Sequence, residues 1–83
     1  MPEEKVGEVT HFFTDISVAV IELSGKLTVG DTIHVKGATT DFEQKVESME
    51  IEEEKIKEAR AGQSIGMKMT DRVREGDEVY HTD

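Results

Sequence analysis

Apolar and polar positions alternate along this chain in short runs, and turn residues interrupt the runs at close intervals. A period of two is the mark of a strand with one buried face. Val6 to Phe13 places Val9 and Phe13 on one face, and Thr14-Asp15 then reads as a turn. Ile16 to Leu23 (ISVAVIEL) is rich in β-branched residues, and both of its faces read as half buried. Ser24-Gly25-Lys26 turns the chain again. Leu27 and Val29 lead to a turn at Gly30-Asp31, after which Thr32 to Lys36 sets Ile33 and Val35 inward. Gly37 to Asp41 is a polar loop. Ser64 to Thr70 (SIGMKMT) alternates cleanly, with Ile65, Met67 and Met69 inward and Gly66 and Lys68 outward. A turn at Gly76-Asp77 precedes a last strand, Glu78 to His81.

The stretch from Phe42 to Ala61 is ambiguous. Its Glu, Lys, Gln, Met and Ala residues are good helix formers. Val46, Met49 and Ile56 could share a helical face, but the charged Glu53 falls between them. As strands, Phe42, Val46, Met49 and Ile51 point inward with a bulge near Ser48, and Glu52-Glu53-Glu54 forms a solvated turn. Strands are preferred because the rest of the chain offers only sheet partners; within Gln44–Arg60 a partly helical alternative stays open.

The pattern predicts an all-β domain, a small antiparallel Greek-key β-barrel of about six to seven strands spanning residues 1–83. Closure is expected because it removes bare sheet edges. The expected core is Val9, Val18, Val20, Ile33, Val35, Val46, Met49, Ile65, Met67, Met69 and Val79. Glycines and aspartates at Gly25, Gly30, Asp31, Gly62, Gly66, Gly76 and Asp77 are expected to shape turns. Gly30-Asp31 and Gly76-Asp77 are expected at hairpins, and Gly66, inside a strand, suggests a bulge or a close backbone approach.

Composition narrows the chemistry. At 83 residues the chain is one domain, and with no cysteine it has neither a disulfide nor a thiolate metal site to stabilise it. No apolar run approaches a membrane span and no secretory leader is legible, so a cytoplasmic, non-membrane protein is expected. There is no phosphate-cradling GxxxxGK[ST] loop, so no GTP binding is expected. His11, His34 and His81 show no metal-ligand spacing, and Ser17, Ser24, Ser48 and Ser64 sit in no nucleophile elbow. No catalytic residue, cofactor or metal is therefore expected, and the chain reads as a binding module rather than an enzyme. A net charge of −9 argues against indiscriminate nucleic-acid binding, although a local basic patch stays open.

Three ordered phrases carry a family resemblance: LSGKLTVGDTIHVKG (Leu23–Gly37), VESMEIEEEKIKEARAGQSIGMKM (Val46–Met69) and VREGDEVY (Val73–Tyr80). Together they resemble the second, β-barrel domain of translational GTPases such as elongation factor Tu, and most of all the short elongation-factor-like proteins made of that barrel alone. The VREGDEVY ending also resembles the small barrel at the carboxyl end of U32 collagenase-like peptidases. The first resemblance implies a translation role in protein biosynthesis, with tRNA, the ribosome or a translation protein as partner. It does not imply GTP hydrolysis, because the GTPase domain is missing. The alternative is a protein-interaction adaptor or an accessory barrel of the U32 peptidase type.

If RNA is the partner, Lys68, Arg72 and Arg74 are the candidate contacts, being the densest basic group in the chain. The structural alternative for these three cations is pairing with Asp71, Glu75 and Glu78. Sequence does not fix the oligomeric state.

Overall fold

The computed structural model describes residues 3–82, and all of their regular structure is β; among them there is no helix. The strands are β1 (Glu4–Phe13), β2 (Val18–Leu23), β3 (Leu27–Thr28), β4 (Thr32–Lys36), β5 (Asp41–Lys45), β6 (Met49–Ile51), β7 (Glu54–Ile56), β8 (Glu58–Ala59), β9 (Ser64–Lys68) and β10 (Glu78–Thr82). Eight form one antiparallel sheet in the order β5-β4-β10-β1-β2-β9-β6-β7, and β3 pairs with β8 separately. The open question over 44–60 is answered in favour of strands. The chain turns between β6 and β7 at Glu52 and Glu53, whose φ angles of 50° and 66° place both in the left-handed region, as the turn of a two-residue hairpin with this twist requires.

The expected closed barrel is not what forms. The ladder begins at β5 and ends at β7 without joining, and the described strands number ten rather than six or seven. The physical reason lies at a seam beside β5. There the buried side chain of Gln44 takes the place of a backbone ladder. Its Nε2 donates to the Lys68 carbonyl at 3.1 Å, and its Oε1 accepts from the Thr70 amide at 2.8 Å and from the Thr70 hydroxyl at 3.1 Å. Just beyond β5, Val46 exchanges two 2.8 Å backbone hydrogen bonds with the β3–β4 corner, donating to Asp31 and accepting from Gly30.

Rows of paired residues carry the core across the sheet. Ile21 pairs with Val9 on one side and Ile65 on the other along one row; Ala19, Met67, Met49 and Ile56 make another. Nine of the eleven expected core residues are buried. Val18 and Val20 are not: the register turns Ala19, Ile21 and Leu23 inward and leaves both valines half exposed on the outer face. A one-residue shift inverts a whole strand, and a run with apolar residues on both faces does not announce which face wins. Ile16, expected to begin β2, lies in the preceding turn and is 56% exposed, because Ser17 with φ 56° breaks the strand before Val18.

The expected turn residues divide by role. Gly30, Gly62 and Gly76 take φ of 103°, 90° and 93°, each as the third residue of a four-residue turn. All three turns are locked alike: the fourth side chain accepts a hydrogen bond from the amide of the first residue. Asp31 does so from Thr28 at 3.0 Å, Gln63 from Arg60 at 2.7 Å and Asp77 from Arg74 at 2.8 Å. Positive φ at the third position is what a type II turn requires. The two Gly-Asp pairs are therefore corners and not hairpins, since β3 does not pair with β4 nor β9 with β10. Gly66 forms no bulge and no close approach: it pairs regularly with Val20 and Glu50, and a Cβ there would meet Val18 at an ordinary 3.5 Å. The tight glycine of the sheet is Gly7, where β1 bulges and a Cβ would lie 2.7 Å from Ile21.

Candidate functional site

Segment 68–74, between the end of β9 and the last corner, is lined by hollows and anchored along its length. The Met69 amide donates to the Ser17 carbonyl at 2.8 Å, Thr70 is held by Gln44, and Val73 is buried. The Arg72 amide donates to the Asp71 carboxylate at 2.7 Å, and the Arg74 amide donates to Asp77. Alternation around buried Val73 sends the Arg72 and Arg74 side chains outward together. They line one hollow of about 280 Å³ with Thr39, Thr40, Asp41, Phe42 and Asp71. Arg72 and Asp71 also wall a neighbouring hollow of about 320 Å³ that includes Phe12, Ser17 and Met69. Lys68 stands apart, in a third hollow with Gln44, Ser48 and Thr70 over the seam. The structure thus brings Arg72 and Arg74 together and places Lys68 on the other side of Met69.

The three cations do not pair as the structural alternative supposed. Glu75 takes His11 at 3.3 Å, Glu78 takes Lys5 at 3.0 Å and the Tyr80 hydroxyl at 2.8 Å, and Asp71 binds a backbone amide. Among the described residues, Lys68, Arg72 and Arg74 make no ion pair.

A second polar cluster lies on the outer face of β4 and β10, and sequence spacing did not reveal it. His34 presents Nδ1 to Glu3 at 2.6 Å and Nε2 to Asp41, while Lys36 meets the other oxygen of Glu3 at 2.6 Å and sits 5.0 Å from the centre of the Tyr80 ring. Hydrogen bonds to Asp41 and then to Glu3 raise the His34 pKa above the ordinary imidazole value. Lys36, and next His34, hold the Glu3 carboxyl below its ordinary value. The Glu3 bond raises Lys36 in turn. On the neighbouring strand the Glu78 bond raises Tyr80, and Tyr80 and Lys5 lower Glu78. The signal that could have exposed this cluster was the pairing of β4 with β5, which sets His34 opposite Glu43.

Donor atoms of Glu3, His34 and Glu43 lie within 4.8 Å of one another, the one grouping of the described residues with the chemistry to hold a metal ion. Those of Glu3 and His34 are already engaged with each other and with Lys36 and Asp41.

The fold is that of a solved peptidase domain. It superposes on the C-terminal domain of a Geobacillus thermoleovorans protein assigned as a U32 peptidase, with a TM-score of 0.90 and 18% identity, covering 96% of this chain and 93% of that one. The selenomethionine form of that domain gives 0.87 at 19% identity.

Among curated proteins, the chain is 43% identical over 77 residues to an uncharacterized protease of Methanocaldococcus jannaschii, and 36% identical over 80 residues to a collagenase of Porphyromonas gingivalis. These matches take in 92% and 94% of this chain but 19% and 22% of the relatives, so the chain spans about a fifth of their length. No family model matches it.

These findings overturn the elongation-factor resemblance, and with it the expected translation role: homologues and structural neighbours point to U32 peptidases and collagenases. The Gly-Asp phrases that carried the first resemblance encode locked corner turns, which are a property of backbone geometry and not of one family. Among the described residues no helix is long and apolar enough to cross a membrane.

Proposed function

We propose that this chain is a non-catalytic accessory module of the U32 peptidase and collagenase type, contributing polypeptide binding to a proteolytic system. The observation that supports this most is the shape of the match. Almost all of this chain aligns with about a fifth of a protease and of a collagenase, and its fold is that of a domain at the carboxyl end of a peptidase. A module of this size that recurs beside a much larger body contributes recognition more readily than chemistry. The alternation along β9 and into 68–74 spends its residues on the core and on exposed cations.

The test is a domain exchange. Removing the matched region from the Porphyromonas gingivalis collagenase should raise KM for gelatin while leaving kcat on a short peptide unchanged, and grafting this chain in its place should restore KM. Loss of kcat on the short peptide would instead assign the region to the reaction itself. The chain alone should hydrolyse neither substrate.

A further inference from the structure

Among the described residues of a chain of net charge −9, two arginines make no ion pair, and that requires a reason. Acidic groups are close by, yet each is engaged elsewhere. Asp71 accepts the Arg72 amide, Asp77 accepts the Arg74 amide, and Asp41 accepts from His34. The backbone carrying both guanidinium groups is held before any ligand arrives: Val73 between them is buried, Thr70 is fixed by Gln44, and Gly76 donates to the Val9 carbonyl at 2.8 Å. Such preorganisation lowers the ordering cost of binding. Phe42, Thr39 and Thr40 complete the hollow together with Asp41 and Asp71, whose carboxylates are held by His34 and by the Arg72 amide. Arg72 then opens onto the next hollow, where Phe12 and Met69 supply apolar surface.

We propose that this surface is an acidic-peptide subsite. Arg72 and Arg74 take a side-chain or terminal carboxylate in the hollow beside Phe42, and the adjoining peptide runs toward Phe12. Planar guanidinium forks match a carboxylate in two parallel hydrogen bonds, which a lysine cannot reproduce. A polyanion such as a nucleic acid fits this surface less well. It would lay many phosphates across a strongly acidic protein, whereas a peptide brings one or two charges to the place where cations are free. The subsite deepens the accessory-module reading and rests on it for the choice of a polypeptide ligand.

The experiment uses fluorescence anisotropy with the whole chain and four labelled peptides. One carries glutamates flanking a phenylalanine, the second has glutamine in place of glutamate, and each is made with a free and an amidated carboxyl terminus. The glutamate peptides should bind about tenfold tighter than their glutamine counterparts, in keeping with the worth of one charge-assisted contact. If the free and amidated glutamate peptides bind alike, side-chain carboxylates are the ligand. If only the peptides with free termini bind, the terminal carboxylate is.

The doubly substituted R72Q/R74Q protein should lose the discrimination and keep its thermal midpoint, while K57Q, on an exposed residue elsewhere, should change neither. Equal binding of all four peptides by the wild type, whatever their side chains and termini, would overturn the subsite but leave polypeptide binding intact. Discrimination that survives in R72Q/R74Q would overturn the assignment to these arginines. Binding of no peptide would overturn the subsite and the polypeptide-binding reading together. A single-stranded oligonucleotide that displaces the acidic peptide more effectively than excess unlabelled peptide would overturn the choice of ligand.

Discussion

The outer face of β4 and β10 and the segment 68–74 are both rich in charge, and they treat it in opposite ways. On the first, charges close on one another: Asp41, His34, Glu3 and Lys36 form a chain, and Lys5, Glu78 and Tyr80 form another beside it. On the second, the carboxylates are turned to backbone amides and the guanidinium groups are left over. The first arrangement pins an amino-terminal residue to the sheet and leaves little for a ligand. The second spends its acids on holding the backbone and leaves its exposed arginines without an ion pair among the described residues. Charge density alone therefore does not locate a site; what matters is which charges the fold has already used.

The comparison can be broken most forcefully at Gln44. Its side chain holds segment 68–74 against the sheet through three hydrogen bonds, and it is buried. Gln44→Ala should cost about 1–3 kcal/mol, since the Lys68 carbonyl and the Thr70 amide lose their partner. Urea unfolding measures the loss, and faster amide exchange at Thr70 should accompany it while β4 and β10 exchange as before. A destabilisation spread evenly over the sheet would show that the seam does not anchor the segment.

Gly37→Ala attacks the same region from the other side. A Cβ at this position would overlap the Asp77 carboxylate, which locks the Arg74 corner. The cost should be about 1–2 kcal/mol, the lower part of the range for overpacking, because Gly37 is exposed but the Asp77 carboxylate that must shift is buried. The Arg74 amide should lose protection before that of Thr28, whose corner is built alike but lies away from Gly37. Equal effects at both corners would contradict this reading.

The paired face is sharpened by pH. The raised His34 pKa means that its contribution to stability is complete below the ordinary value of 6.5 and is lost as pH rises through the folded value. The lowered Glu3 pKa has the opposite sense: its contribution is present above 4.5 and is lost as pH falls through the folded value. The difference in thermal midpoint between wild type and His34→Gln should therefore be largest between about pH 5 and 6 and should shrink in alkaline buffer. A difference that grows with pH would mean that the imidazole is neutral in the folded protein.

The smallest effect on stability is expected at the unpaired cations. Arg72→Gln with Arg74→Gln should move the thermal midpoint by no more than ~2 °C, because exposed side chains without partners contribute little to the fold. A large loss would show that these arginines belong to the structure after all.

Much of this was legible from residue order. Period-two alternation gave Ile65, Met67 and Met69 their face, and the three positive-φ glycines stood where turns were expected, though two of those turns are corners rather than the expected hairpins. What sequence could not decide was which side of ISVAVIEL faces inward, because both of its faces are apolar; the partners on β9 decide that. Nor could it show closure, since the seam depends on a single glutamine reaching across to a strand more than twenty residues later. The arginines were visible as a dense basic group, but their being unpaired was not. That required knowing that Glu75 goes to His11 and Glu78 to Lys5, contacts formed by residues 64 and 73 positions apart. His34 and Glu3, separated by 31 positions, were hidden for the same reason. The family was misread because short phrases around Gly-Asp corners describe a turn that many β folds need.

The claim that the fold uses one set of charges and leaves the other for a ligand is tested most directly by two-dimensional amide NMR. The isotope-labelled chain would be titrated with the amidated glutamate-containing peptide and, separately, with its glutamine counterpart. The glutamate peptide should shift the amides of residues 70–74 and 39–42, with a smaller set near Phe12 and Ser17, and leave His34, Lys36 and Tyr80 in place. Shifts centred on His34, Lys36 and Tyr80, or the same shifts from both peptides, would contradict it.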